Sequence, residues 1–251
     1  MDTKVKGIII KLIDYKDADK LAQIFSFDEG VITAKFVGVK KEKAKFKAVA
    51  QPFVFAEFVL SVKGEHKTVT SVEIIDPFDK LLLGYSRTMA GYVILDMIRR
   101  LIPEGKPEQD IFLLTLSTLK RLETEDVNST LIDYIIMFID MQGMAIEFPN
   151  SKYVYLDNLT GNFSTTRTIN STEIDKKVYS YLYNIFNSVQ FKASENEINN
   201  LTQNNDNVIN NETNRLQNEI SPLTIKQALR LIKNIIYLKF NVEIKSFDYL
   251  L

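Results

Sequence analysis

The chain has 251 residues and 45% hydrophobic content, enough for one large domain or two modest ones around a real core. Its formal net charge is −1, it has no cysteine and its one histidine is His66, which excludes disulfides, thiolate metal sites and any His/Cys zinc constellation. No stretch approaches the roughly 18 apolar residues of a membrane span, and the opening Met-Asp-Thr-Lys-Val-Lys-Gly lacks a signal-peptide pattern, so a cytoplasmic protein is expected.

In chain order, the first elements read as strands. Val5 to Ile13 is a nearly continuous β-branched run, followed by the turn Asp14 to Asp19. Leu21 to Phe27, Val31 to Val39, Phe53 to Val62 and Thr68 to Ile75 have the same character, separated by the turns Asp28-Glu29-Gly30 and Lys63 to Lys67 and by a polar break at Lys40 to Lys47. Five short strands in about 75 residues fit a closed barrel of OB-fold size.

From Pro77 the apolar period lengthens to that of helices. Leu82, Tyr85, Met89, Tyr92, Val93 and Met97 share one face, ended by Pro103. Further helices are expected over about Glu108 to Leu122, Asn128 to Gln142, from near Thr172, and from Ser221-Pro222, a cap followed by proline at the first helical position. Val242 to Phe247 reads as a short strand or extended tail, and Tyr153 to Thr166 as a hairpin between helices. Residues 194–220 hold ten Asn, the composition of a loop or weakly ordered insert. The expected fold class is α+β: an N-terminal five-stranded barrel over residues 1–78, then an all-helical domain over 79–251 with a small β-hairpin at 148–168.

Catalytic signals are absent from this pattern. His66 sits in a turn with no nucleophile paired to it, and neither a Gly-x-x-x-x-Gly-Lys-Ser/Thr loop nor a Gly-x-Gly-x-x-Gly motif occurs. Asp14, Asp17 and Asp19 read as turn formers, because Asp hydrogen-bonds its own backbone. No enzyme activity, metal or cofactor is expected.

The charge is uneven. Residues 35–67 hold eight Lys against Glu42, Glu57 and Glu65, a local net of +5 within a nearly neutral chain, and local potential is what a polyanion feels. Lys40, Lys41, Lys43, Lys45 and Lys47 are packed into eight residues around Phe46, with Lys35 before them and Lys63 and Lys67 at another turn. Lysines neutralise phosphates without reading sequence, and an exposed Phe46 would stack on an unpaired base. Five such contacts predict a log-log salt slope of about −3.5 on single strands. The bland reading is a solvated loop that keeps the protein soluble. A second basic stripe, Lys226, Arg230 and Lys233, lies opposite the apolar face of the last helix, either as its plain solvated side or as an extension of a DNA path.

The order of these motifs resembles that of the RecO family of bacterial recombination mediators. The resemblance rests on Gly7-Ile8-Ile9-Ile10-Lys11, Asp14 to Leu21, Glu29-Gly30-Val31-Ile32, Val37-Gly38-Val39-Lys40-Lys41, Gln51-Pro52-Phe53 and the ending Phe240 to Tyr249. It implies an OB-fold followed by a helical domain, binding of single- and double-stranded DNA, strand annealing, recombinase loading with RecR and the C-terminal tail of SSB as partners, and a nucleoid-associated location. Three departures stand out. The hairpin Tyr153 to Thr166 occupies the place of a four-cysteine zinc module and has no cysteine. An Arg-rich Phe-Glu segment is replaced by Leu131-Ile132-Asp133-Tyr134-Ile135, with no arginine to meet an acidic tail. A Tyr-Gly-Glu turn reads Tyr15-Lys16-Asp17. Rival readings are an OB-fold RNA- or DNA-binding protein of another pathway and a non-catalytic protein-interaction adaptor.

Overall fold

In the computed structural model, which describes residues 2–151, 153–199 and 220–251, the β-branched runs pair as strands. These are β1 (Asp2–Tyr15), β2 (Asp19–Ser26), β3 (Gly30–Phe36), β4 (Phe55–Lys63) and β5 (His66–Asp76). They close into the expected OB-fold barrel in the order β1-β2-β3-β5-β4, with β3 and β5 parallel and the other pairs antiparallel. Val5, Ile9, Ile24, Phe36, Phe58 and Leu60 fill the interior with their neighbours.

The run Ile8-Ile9-Ile10 is apolar at every position because both faces of β1 are buried there. A bulge between Ile9 and Lys11 shifts the register. Outside the barrel, a 3₁₀ turn at Asp79–Leu83 leads to α1 (Tyr85–Leu101) and α2 (Gln109–Leu122). Phe112 of α2 meets Phe25, Phe27 and Phe55 edge-on, with ring centroids 5.4, 5.7 and 6.0 Å away. Two glycines permit this packing. Gly30 is left-handed (φ +68°), and a Cβ there would lie 2.0 Å from the Lys106 carbonyl oxygen. A Cβ on Gly91 of α1 would lie 2.7 Å from the ring of Phe53, so the Gln51-Pro52-Phe53 turn seats its ring directly on the helix.

The chain divides into two compact units, Met1–Val127 with Ile244–Tyr249, and Asn128–Glu243 with Leu250–Leu251. The tail read as extended forms a 3₁₀ turn at Lys245–Tyr249 instead. Ile244 and Phe247 are both buried, and a three-residue spacing places them on one side of a 3₁₀ turn. The turn is tied to α1 by the Tyr85 hydroxyl donating to the Tyr249 carbonyl at 3.1 Å and by Ser246 donating to Asp96 at 3.3 Å.

The second unit holds α3 (Val127–Met141, counted from its first residue in the first unit), β6 (Tyr155–Asp157), β7 (Phe163–Ser164), β8 (Ser171–Glu173), α4 (Lys176–Asn199) and α5 (Pro222–Phe240). The expected hairpin is β6–β7, and β8 extends it to three strands. The helix expected from near Thr172 therefore starts later. Residues 171–173 pair with β6, and the Asp175 carboxylate accepts from the N–H groups of Lys177 and Val178 at 2.9 and 3.2 Å. With no cysteine in the chain, the sheet has no thiolates to bind zinc. Aromatic rings pack it instead: Phe148 stacks on Phe186 at 4.5 Å and Phe163 meets Tyr179 edge-on at 5.2 Å. Ser221 caps α5 by accepting from the Thr224 N–H, with Pro222 next, as expected. Residues 200–219 of the Asn-rich stretch lie outside the described residues. No helix among the described residues is long and apolar enough to cross a membrane.

Candidate nucleic-acid interface

The barrel pairing gathers three segments of the chain. Lys20 at the start of β2 lies opposite Phe36 at the end of β3. Ala34 and Lys35 of β3 lie opposite Lys67 and Thr68 of β5. The β1–β2 turn, the exit of β3 and the β4–β5 turn therefore meet, and the lysine loop leaves from this place. Its first residues are pinned to the β1–β2 turn: Gly38 N–H donates to the Asp19 carboxylate at 2.7 Å and Lys40 N–H to the Ala18 carbonyl at 3.0 Å.

Beyond that anchor the loop folds as successive tight turns, with Ala44 N–H donating to the Lys41 carbonyl and Lys47 N–H to that of Ala44, both at 3.2 Å. Val39, Phe46, Val49 and Ala50 face the barrel interior and close it. The alternation of lysines with small and apolar residues thus has a packing cause: one side covers the core and the other meets water.

This placement sorts the nine expected binding residues. Lys35 lies 4.0 Å from Asp19, Lys40 lies 3.0 Å from Asp14, and Lys67 pairs with Glu29. The Lys45 ammonium donates to the Thr70 carbonyl at 3.4 Å and sits 4.9 Å from the centroid of the Phe46 ring. Lys41, Lys43, Lys47 and Lys63 are exposed, and none of them has an ion pair among the described residues. Phe46 differs from expectation. It is half-buried, packed on the core with its ring edge-on to Phe36 at 5.9 Å, because the open barrel end offers an apolar seat that a turn in isolation lacks. His66 is exposed at the start of β5, as expected of a turn residue.

The second stripe is more fully engaged. On α5, Lys226 donates to the Leu251 carbonyl at 2.8 Å and Lys233 lies 3.9 Å from Glu243, while Arg230 is exposed.

Two features escaped the sequence reading. Tyr15, read as part of a turn, is partly exposed at the end of β1 with the Lys16 ammonium 5.3 Å from its ring centroid. A cleft of about 700 Å³ opens in the first unit, lined by Leu12, Pro52, Met89, Tyr92, Asp96 and Tyr249 among others. None of the loop lysines lines it. Among the described residues no group of three His, Cys, Asp or Glu is placed to hold a metal.

Comparison with known proteins follows the same two-part layout. The family model for Recombination protein O N terminal matches residues 1–78, and that for Recombination protein O C terminal matches residues 83–201. The chain belongs to the RecO family. Relatives bearing the name DNA repair protein RecO include one from Clostridium novyi, 34% identical over 109 residues and covering 43% of each chain. Another, from Syntrophomonas wolfei, is 26% identical over 137 residues and covers 55% of each chain. A third, from Shouchella clausii, is 26% identical over 121 residues, which is 48% of this chain and 47% of the relative. The chain thus spans about half the length of the curated relatives it matches.

Proposed function

We propose that the chain is a non-catalytic DNA repair and recombination mediator that binds single- and double-stranded DNA through the lysine loop, anneals complementary strands, and assists recombinase loading with RecR and SSB. The observation that carries this reading is the set of four exposed lysines, Lys41, Lys43, Lys47 and Lys63, with no ion pair among the described residues, while Lys35, Lys40 and Lys67 are matched to acids and Lys45 is held by the Thr70 carbonyl and the Phe46 ring. Annealing breaks and makes no covalent bond. It requires phosphate charge to be neutralised so that two polyanions approach while their bases stay free to pair. Lysines meet that need, because each acts as a point charge on phosphate and leaves base edges untouched. RecR and the SSB tail enter as partners from the family resemblance.

The test is a salt titration of single-strand binding together with an annealing assay. Four phosphate contacts give an expected log-log slope of about −3 on single strands. Reversing Lys41, Lys43, Lys47 and Lys63 together to Glu is expected to weaken binding by roughly 10² to 10³-fold at about 0.1 M salt and to abolish annealing. Annealing that survives in this variant would remove the loop from the mechanism. Binding that depends on ribose, with RNA preferred to DNA of the same sequence, would favour an RNA-directed role instead.

A further inference from the structure

Lys16 occupies a left-handed backbone conformation (φ +52°) that non-glycine residues seldom adopt. The residue is exposed, it has no ion pair among the described residues, and its ammonium rests over the ring of Tyr15 at 5.3 Å. Tyr15 is 38% exposed. It shares a face of β1 with Ile13, which is also exposed, and the exposed Val37 lies just beyond β3. In the strand register Tyr15 faces Asp19, the residue that accepts from Gly38 N–H, and its chain neighbour Asp14 holds Lys40. An accessible aromatic ring with a mobile-stemmed cation above it therefore stands at the root of the lysine loop. Phe46, the aromatic inside the loop, is spent on closing the barrel.

We propose that Tyr15 and Lys16 form a subsite for one nucleotide of a single strand, in which the Tyr15 ring stacks on an unpaired base and the Lys16 ammonium moves from the ring to the adjoining phosphate. This deepens the DNA-binding reading and rests on it. The physical sequence is an exchange of partners. A cation over an exposed ring is held weakly, a phosphate attracts it more strongly, and its departure uncovers the π-face that the base then takes. A duplex has no unpaired base to offer, so the subsite acts on single strands alone.

The experiment measures binding of the full chain to a labelled oligo-dT and to a duplex of equal length by fluorescence anisotropy, with thermal melts in parallel. Tyr15→Leu is expected to weaken oligo-dT binding by about 5- to 150-fold, the range of base–aromatic stacking, and to change duplex binding less than about twofold. Tyr15→Phe keeps the ring and should retain oligo-dT binding. Lys16→Gly is expected to cost about fivefold, the loss of one phosphate contact at about 0.1 M salt, with no drop in melting temperature because glycine suits φ +52°. A lowered melting temperature with unchanged affinity in Lys16→Gly would assign the pair to turn stability and overturn the subsite. Equal losses on both DNAs in Tyr15→Leu would also overturn it. If the Lys41, Lys43, Lys47 and Lys63 reversal abolishes binding while Tyr15→Leu does not, the subsite falls and the loop stands. If neither variant loses binding, both readings fall.

Discussion

The end of the barrel and the stripe along α5 both looked basic in sequence, yet the fold uses them differently. At the barrel, Asp14 and Asp19 at the β1–β2 turn pair with Lys40 and Lys35, Glu29 of the β2–β3 turn pairs with Lys67, and the turns of the loop hold Lys41, Lys43 and Lys47 outward. On α5, Lys226 holds the Leu251 carbonyl and Lys233 approaches Glu243, while Arg230 is exposed with no ion pair among the described residues. A cation bound within its own fold has little left to offer a phosphate. Lysine count alone therefore misjudges a surface, and the spare charge left after internal pairing is the better measure.

The largest expected effect separates the two regions directly. Charge reversal of Lys226, Arg230 and Lys233 should change single-strand affinity less than about fivefold, one phosphate contact's worth, against the roughly 10² to 10³-fold loss expected for the four barrel lysines. Comparable losses in anisotropy titrations would break the distinction. A smaller effect tests the pairing itself. Asp19→Ala removes the acceptor for Gly38 N–H and the partner of Lys35. It should lower stability by about 1 to 2 kcal/mol in urea melts and raise single-strand affinity up to about fivefold by releasing one cation. Unchanged affinity would place Lys35 off the DNA path.

The smallest effect concerns Arg99 and Arg100, another pair of cations used internally. Burial alone would raise the Asp96 carboxyl, but hydrogen bonds from Arg99 and Arg100 outweigh it and hold the group below its ordinary value. A depressed folded-state value means that the stabilisation is complete above the unfolded value, 3.8, and is lost as pH falls through the folded one. The urea midpoint of the wild type should thus fall more steeply below about pH 4 than that of Asp96→Asn. Parallel slopes would show that Asp96 does not anchor the two arginines.

The strands were legible because Val5 to Ile13 and Phe53 to Val62 are too β-branched and aromatic for any other use, and Ser221-Pro222 marks a helix start by capping chemistry alone. Ser171-Thr172-Glu173 was not legible as a strand. Three residues carry no period, and their pairing depends on β6, some fifteen positions earlier. The loop was found by its charge, but its pairing was hidden: Lys40 meets Asp14 and Lys67 meets Glu29 across long stretches of chain. Phe46 misled for a related reason. A ring among lysines reads as exposed until the barrel end supplies its seat. Tyr15 and Lys16 read as a plain turn, because neither exposure nor a left-handed φ leaves a mark on composition.

The contact between Phe53 and Gly91 also bears on how this protein can be cut for study. A fragment ending at residue 78 would strip α1 from Phe53 and α2 from Phe25 and Phe55, leaving large rings in water. Such a piece is expected to clump, and a null DNA-binding result with it would say nothing about the loop. A useful minimal reagent must keep both helices and the returning segment around Phe247, which makes a circularly permuted or linker-joined design a better choice than simple truncation.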